Sequence, residues 1–253
     1  MRILHIDCTS GMSGDMMLAG FVNMGMPMKY IQQELDKLGV SGEFQLSCHD
    51  VLYQDKHASN FAVRLRDPKA MELHPYQAKQ RSYGDILEII SRSKLDRNIK
   101  ELSLKIFAIK AEAEAYVHDV PLHEVQFHEP GAVDSIVDIV GTAIGFHYFR
   151  IERTISTKVP TGHGTVLCAC GELKVPVPAV RKILETSTIQ SYRSDTKQEL
   201  LTPTGAAILA GIVNEFNKKP VQTKILGQGF SVGERATGRP PLCLTLTDDS
   251  RLE

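Results

Sequence analysis

Residues 2–24, RILHIDCTSGMSGDMMLAGFVNM, decide the fold, because they join a short apolar strand to an apolar helix through a turn rich in glycine and serine. The pattern predicts a strand over residues 1–7 and a helix over residues 16–24, which Gly25 and Pro27 stop. The first backbone N–H groups of a helix have no partner within it. A turn of this kind therefore suits the binding of a phosphate or a carboxylate.

The side chains of the turn extend this predicted anion site. Ser10 and Ser13 add hydroxyl donors, and Asp7 stands at the carboxyl end of the strand, where it could hold a metal or a sugar hydroxyl. The turn is not a Walker loop, because no lysine follows its last glycine. The alternative is an ordinary turn whose acidic residue favours the helix start. The predicted cofactor-binding residues here are Asp7, Ser10, Gly11, Ser13, Gly14 and Asp15.

The composition narrows the class of protein. The chain has 253 residues, with 29 Lys and Arg against 30 Asp and Glu, which leaves no basic surface for nucleic acid or for a membrane. No apolar run reaches the roughly 18 residues of a membrane-spanning helix. Its N-terminus reads as a strand and not as a signal peptide, so the five cysteines predict reduced thiols and a cytoplasmic protein.

The order of elements predicts an α/β (mixed α+β) fold, built from strand–turn–helix units with mixed sheets. We expect two domains, an N-terminal α/β domain over 1–150 and a smaller α+β domain with glycine-rich loops over 151–253. Helices are expected over 28–38, 83–91, 96–117, 132–149, 179–185 and 202–216. Strands are expected over 44–53 and 60–65 (as a hairpin or as neighbours), 125–128, 155–159, 165–168, 173–175, 221–225 and 242–247, with a loop over 67–82 and a glycine-rich loop from Gly227 to Arg235.

A second candidate site lies around residues 128–138, HEPGAVDSIVD. Asp134 and Asp138 are one helical turn apart and share a face that continues to Gly141 and Gly145, where a backbone or a ligand could approach. Carboxylates on an apolar helix are costly to bury unless they are paired or bind a metal. The alternative is that Asp134 caps the helix and Asp138 pairs with an arginine. The predicted metal ligands, which suit Ni, Zn or Fe, are His128, Glu129, Asp134 and Asp138.

Two later stretches are candidates for anion binding. Thr202, Thr204 and Gly205 open a helix and form either a second anion site or an ordinary capped helix start. The loop ending at Arg235, together with Arg239, offers guanidinium groups for bidentate contact with phosphate or carboxylate.

Taken together, these motifs resemble the LarC family of nickel insertion proteins. The resemblance rests on the turn and its following Met16, on residues 127–141, on the Pro176–Ala179 stretch, and on residues 201–207. It implies a nickel chelatase of the lyase class, which inserts Ni(II) into pyridinium-3,5-bisthiocarboxylic acid mononucleotide to form the nickel-pincer nucleotide of the lactate racemase pathway. It further implies that the reaction depends on CTP with Mg or Mn.

The resemblance also assigns roles. Formation of a nickel–carbon bond requires a ring proton to leave, so a base must lie near the metal, and the predicted catalytic residues are His128, Glu129 and Asp134. Family members are usually longer, with a C-terminal domain to which CTP binding is attributed. We therefore expect the N-terminal part of the enzyme, a C-terminal partner in the same or a separate chain, and a homo-oligomer as a further option.

Several departures from the family pattern leave alternatives open. Gln126, Pro130, Cys170 and Pro241 stand where the family usually has histidine, valine, histidine and asparagine. These changes reduce the number of side chains that could bind nickel. One alternative is a non-catalytic metal- or nucleotide-binding module, or a diverged paralogue. Another is a Mg-dependent nucleotide hydrolase or phosphotransferase that uses Asp7 and Asp15.

Overall fold

A mixed sheet of seven strands organises the chain, which is described by a computed structural model over residues 1–66, 81–127, 132–168, 171–217, 224–235 and 237–248. The strands are β1 (Arg2–Asp7), β2 (Phe44–Tyr53), β3 (Lys56–Leu65), β4 (Arg153–Ser156), β5 (Val159–Pro160), β6 (Thr165–Cys168), β7 (Gly171–Lys174), β8 (Ser191–Tyr192), β9 (Glu215–Phe216), β10 (Lys224–Ser231) and β11 (Leu242–Asp248). The α-helices are α1 (Gly14–Asn23), α2 (Met28–Asp36), α3 (Tyr83–Arg92), α4 (Arg97–His118), α5 (Val133–Phe149), α6 (Pro178–Thr186) and α7 (Pro203–Ile212).

The large sheet has the strand order β2-β3-β10-β11-β1-β4-β9. The first strand, β1, lies between β11, to which it is antiparallel, and β4, to which it is parallel. Ile6 is paired with Leu244 on one side and Ser156 on the other. Strands from both ends of the chain thus share one sheet. The α/β class with a mixed sheet is confirmed, and the predicted boundary between residues 150 and 151 stays a prediction.

Helix α1 packs between the sheet and α5, and glycines bring these elements close together. A Cβ atom on Gly229 in β10 would lie 2.2 Å from the carbonyl oxygen of Gly20 in α1. A Cβ atom on Gly145 in α5 would lie 2.3 Å from the ring of Phe21. Phe21 is fully buried, and full burial of such a side chain contributes about 1.5–3 kcal/mol. The close approach expected at Gly141 and Gly145 therefore occurs, and its partners are α1 side chains and not a ligand.

Several sequence predictions agree with the structure. Strands β2 and β3 form the expected antiparallel hairpin, with Phe44 opposite Leu65 and Tyr53 opposite Lys56. Thr202 caps α7, since its Oγ1 accepts a hydrogen bond of 3.1 Å from the N–H of Gly205. No helix in the described part of the chain is long and apolar enough to cross a membrane.

The prediction of a glycine-rich loop from Gly227 to Arg235 was wrong for residues 227–231 and is confirmed for residues 232–235. Residues 224–231 are strand β10, which is antiparallel to β11. Glycine within a strand weakens it, and it is used where another backbone approaches closely. Here the approaching backbone is that of α1 at Gly20 and Met24. The alternation of side chains that identifies a strand was not visible in the sequence, because Gly227 and Gly229 have no side chains.

Other boundaries also differ. The helix expected to reach residue 216 ends at Ile212, and Glu215–Phe216 instead pairs with β4 at the edge of the sheet. Of the strand expected over 125–128, residue 128 lies outside the described residues, and the others contribute one bridge, between Gln126 and Ser82. The expected strand over 155–159 divides into β4 and β5. Nearly all of the expected loop over 67–82 lies outside the described residues.

Candidate functional site

A cavity of about 850 Å³ lies where five parts of the fold meet. These are the turn before α1, the first turns of α5, the β2–β3 hairpin, the segment that leads to α7, and the loop that connects β10 to β11. The cavity gathers predicted residues that are far apart in the sequence. Those that line it are Ser10, Ser13, Asp15, Asp134, Asp138, Thr202, Arg235 and Arg239.

The turn before α1 is held in place by the segment that leads to α7. The N–H of Met12 donates to the carbonyl of Leu200 at 2.7 Å, and the N–H of Thr202 donates to the carbonyl of Met12 at 3.2 Å. Gly11 has φ +102, and a Cβ atom there would lie 2.1 Å from the Leu200 oxygen. Gly11 is therefore required by backbone conformation and packing. The N-termini of α1 and α7 lie side by side as a result.

The first turns of α5 carry the two aspartates into the cavity. Asp134 is exposed, whereas Asp138 is only 8% exposed. The N-cap position of the helix is occupied by Ala132, at φ 52, so Asp134 stands in the first turn and not at the cap. The alternative in which Asp134 caps the helix is therefore wrong. Gly14 packs directly on Asp138, since a Cβ atom on Gly14 would lie 2.2 Å from Oδ2 of Asp138.

Two carboxyl groups in the cavity have raised pKa values. Burial raises the pKa of Asp15, and the nearby Glu234 raises it further, while hydrogen bonds from the Ser13 hydroxyl and the Met16 N–H act in the opposite direction. Burial also raises the pKa of Glu199, and the charge of Arg235 partly offsets that rise. The sequence analysis missed Glu199. It stands alone in an irregular segment, so no periodicity or motif could have identified it.

The side chain of Arg239 holds the loop between β10 and β11 in place by hydrogen bonds. Its Nε donates to the carbonyl of Thr9 at 2.6 Å, its Nη2 donates to the hydroxyl of Tyr192 at 3.0 Å, and its Nη1 donates to Oγ1 of Thr196 at 3.4 Å. These bonds connect the loop to the turn and to the segment around β8. Arg235 is exposed and lies close enough to Glu199 to influence its pKa. Of the two arginines, Arg239 is engaged by the protein itself.

The β2–β3 hairpin forms a further wall that the sequence analysis did not assign. His49, Val51 and Tyr53 alternate along β2 and all line the cavity, as does Asn60 from β3. Asn60 also donates from its amide nitrogen to the carbonyl of Val232 at 3.0 Å, which joins the hairpin to the loop. The period-2 pattern identifies which side chains share a face. It does not identify which face meets the cavity.

Other predicted residues have different surroundings. Asp7 is exposed, accepts a bond of 3.1 Å from the N–H of Thr9, and is not among the described residues that line the cavity. Gly205 packs on the turn, where a Cβ atom would lie 2.2 Å from the Met12 oxygen. Thr204 is buried, and its Oγ1 accepts a bond of 3.1 Å from Lys110. His128 and Glu129, predicted as ligands and catalytic groups, lie outside the described residues.

The described part of the cavity offers mainly carboxyl groups, to which His49 adds an imidazole and Glu234 a further carboxyl. Asp15, Asp134, Asp138 and Glu199 line it, but within the described ranges no three His, Cys, Asp or Glu side chains are grouped closely enough to hold a metal ion. The arrangement can bind an anion with hydroxyls, helix N-termini and Arg235. It can also attract a cation at the carboxylates.

Comparison with known proteins identifies the family. The family model described as "Nickel insertion protein" matches residues 4–251. A pyridinium-3,5-bisthiocarboxylic acid mononucleotide nickel insertion protein of Geobacillus kaustophilus is 40% identical over 236 residues, which is 93% of this chain and 56% of that protein. The protein of the same name from Acetivibrio thermocellus is 38% identical over 239 residues, which is 94% of this chain and 58% of that protein.

The chain thus spans somewhat more than half the length of these relatives. No solved structure matches it significantly. Because the family match extends over nearly the whole chain, and includes both the turn before α1 and the acidic start of α5, this protein belongs to the nickel insertion protein family.

Proposed function

We propose that this chain is the N-terminal part of an enzyme that inserts nickel into pyridinium-3,5-bisthiocarboxylic acid mononucleotide. The observation that carries the proposal is the meeting of an anion-binding turn and the aspartates of α5 in one cavity. The relatives named for this reaction support the choice of substrate. Nickel is a substrate here, and the nickel-pincer nucleotide is the product.

The phosphate of the mononucleotide would bind at the turn. Ser10, Ser13 and Thr202 offer hydroxyl groups, and the adjacent N-termini of α1 and α7 offer backbone N–H groups. The positive ends of the helix dipoles favour an anion there. Arg235 adds a guanidinium group at the rim.

Nickel would bind at the carboxylates. Asp134 and Asp138 lie on one face of α5, and Asp15 lines the same cavity. Carboxylate oxygens are hard donors, whereas nickel also favours imidazole and sulfur ligands, of which the described part of the cavity offers the imidazole of His49. We therefore propose that His128 and Glu129, together with the sulfur atoms of the substrate, complete the coordination.

The ring proton must be accepted by a base when the nickel–carbon bond forms. His128, Glu129 and Asp134 are the proposed bases. The structure adds Asp15 and Glu199 as candidates, since a raised pKa makes a carboxylate a better proton acceptor near neutral pH. We propose that CTP, with Mg or Mn, binds to the C-terminal part of the protein and not to this cavity.

The experiment that tests the proposal is a calorimetric titration of the chain with NiCl₂. We expect Asp138→Asn and Asp134→Asn to weaken nickel binding about tenfold, because each removes one charged oxygen ligand. Glu185→Gln, on the exposed part of α6, is the control and should leave the titration unchanged. Unchanged titrations of both aspartate variants would contradict the assignment. Product formation should then require nickel, the substrate nucleotide, CTP and the C-terminal part together.

The hydrolase alternative has no observation in its favour. It requires Asp7 and Asp15 to act on one ligand, but only Asp15 lines the cavity among the described residues. Incubation of the chain with CTP or ATP and Mg²⁺ separates the two hypotheses, since turnover by this chain alone would support hydrolysis.

A further inference from the structure

The β2–β3 hairpin differs in chemistry from the other sides of the cavity. His49, Val51 and Tyr53 alternate along β2 and all line the cavity, so they project from one face of the strand, which we call the hairpin wall. Among the described residues, none that the hairpin contributes to the cavity is an aspartate, a glutamate, a lysine or an arginine. The carboxyl and guanidinium groups of the described lining come instead from α1, α5, the segment that leads to α7, and the loop that connects β10 to β11.

Hydrogen bonds hold the hairpin against the loop that connects β10 to β11. The N–H of Val232 donates to the carbonyl of Ser59 at 3.1 Å, and Nδ2 of Asn60 donates to the carbonyl of Val232 at 3.0 Å. At the tip of the hairpin, Nε2 of Gln54 donates to the carbonyl of Gly238 at 3.0 Å. Bonds at two points of the loop therefore fix its position relative to the hairpin wall.

The loop adds rigid apolar groups to the same cavity. Pro240 and Pro241 line it, as do Val51 and Tyr53 of the hairpin wall. Val51 and Tyr53 are half-buried, so part of each side chain stays open to a ligand. The ring face of a tyrosine attracts a cation, and aromatic side chains stack on other flat rings. A flat cationic ring would therefore be bound here without the groups proposed to bind phosphate.

We propose that the hairpin wall, with Tyr53 as its stacking residue, binds the pyridinium ring of the mononucleotide. This inference rests on the proposed function, because it takes the phosphate of the same ligand to lie at the turn before α1. The ring and the phosphate of a mononucleotide are attached at opposite ends of the ribose, so they need two subsites of different chemistry in one cavity. The cavity of about 850 Å³, a usual size for a small-molecule site, is lined by both the turn and the hairpin wall.

A pair of ligands with and without the ring tests this assignment. We would titrate the chain with nicotinamide mononucleotide, which has a pyridinium ring and one phosphate, and with ribose 5-phosphate, which lacks the ring. The wild-type protein should bind the first ligand more tightly. Tyr53→Ala and Tyr53→Leu should weaken the binding of nicotinamide mononucleotide about threefold to tenfold and leave that of ribose 5-phosphate unchanged. Tyr53→Phe keeps the aromatic face and should retain both affinities.

Leu52→Ala is the matched control. Leu52 is the neighbour of Tyr53 on β2, is 70% exposed, and is not among the described residues that line the cavity. Because side chains alternate along a strand, it projects from the opposite face. The control truncates a large side chain on the same strand and should change neither affinity. If Tyr53→Ala fails to fold, Tyr53→Leu, which keeps a large apolar side chain, decides the test.

The outcomes separate the ring subsite from the proposed function. Equal affinity of the wild-type protein for the two ligands would overturn the ring subsite, as would Tyr53 variants that weaken both ligands alike or neither. Phosphate binding stands in those cases, since the wild-type protein still binds ribose 5-phosphate. Selective weakening of nicotinamide mononucleotide in a protein that does not bind nickel would support the ring subsite and contradict nickel insertion. Binding of neither ligand by the wild-type protein would overturn both.

Discussion

Gly14 and Asp138 are in direct contact, and a methyl group on Gly14 would lie 2.2 Å from Oδ2 and 2.5 Å from Cγ of Asp138. The contact joins the two stretches that carry the predicted chemistry, because Gly14 is the first residue of α1 and Asp138 lies one turn into α5. The aspartate can reach the cavity beside the turn only because position 14 has no side chain. The first prediction follows from this contact.

Gly14→Ala should displace the side chain of Asp138 or separate the two helices. Overpacking of this kind costs about 1–3 kcal/mol of unfolding free energy, and we expect nickel binding to weaken at the same time. Chemical denaturation and nickel titration measure the two effects. Gly84→Ala in the first turn of α3 is the control, since a Cβ atom there would meet nothing closer than 3.6 Å. Wild-type behaviour of Gly14→Ala in both measurements would refute the contact.

Glu199 should make the stability of the protein depend on pH. Because burial raises its pKa in the folded state, the folded chain binds a proton more readily than the unfolded chain. Between the usual carboxyl pKa and the raised value, the free energy of unfolding should therefore fall as the pH rises. Glu199→Gln should remove this contribution to the pH dependence of the free energy of unfolding. Above the raised pKa of Glu199, the variant should be more stable than the wild-type protein. Urea denaturation of both proteins from pH 4 to pH 8 measures this difference. Parallel curves of unfolding free energy against pH would argue against a buried carboxyl group at position 199.

Arg239 should matter for its shape as well as its charge. A lysine cannot make the three bonds to Thr9, Tyr192 and Thr196 together, so Arg239→Lys should lose about 1–2 kcal/mol of stability. Hydrogen exchange should also rise at the amides of residues 9–12, because the turn loses its tie to the loop. Arg64→Lys, on the exposed side of β3, should have neither effect. Equal exchange in the two variants would mean that the loop is held by other contacts.

The cysteines should differ in reactivity. Burial raises the pKa of the Cys8 thiol to about 12, whereas Cys168 is exposed at the end of β6. The thiolate is the reactive form, so iodoacetamide at pH 8 should label Cys168 readily and leave Cys8 unlabelled in the folded protein. Peptide mass spectrometry before and after unfolding in urea reads out both sites. Early labelling of Cys8 would show that the segment directly after β1 opens locally.

Local elements of the site were predictable because their causes are local. The turn before α1 follows from a strand pattern, small residues and a helix pattern that adjoin in the sequence. The cap at Thr202 follows from its position before Pro203. That Asp134 and Asp138 share a face follows from the helical period alone. The glycines of β10 misled the analysis, because their reason lies in the approach of α1 and not in their neighbours.

The sequence by itself determined the α/β class, the strand–turn–helix unit and most of the residue types that can bind an anion or a cation. Only the tertiary structure decided that Ser13, Asp138 and Thr202 share one cavity, since their meeting depends on the order of strands and on glycines that allow close packing. It alone placed Glu199, with its raised pKa, in the same cavity. The physical reason is that burial, which raises the pKa of a carboxyl group, comes from groups distant in the chain, and no local pattern records it.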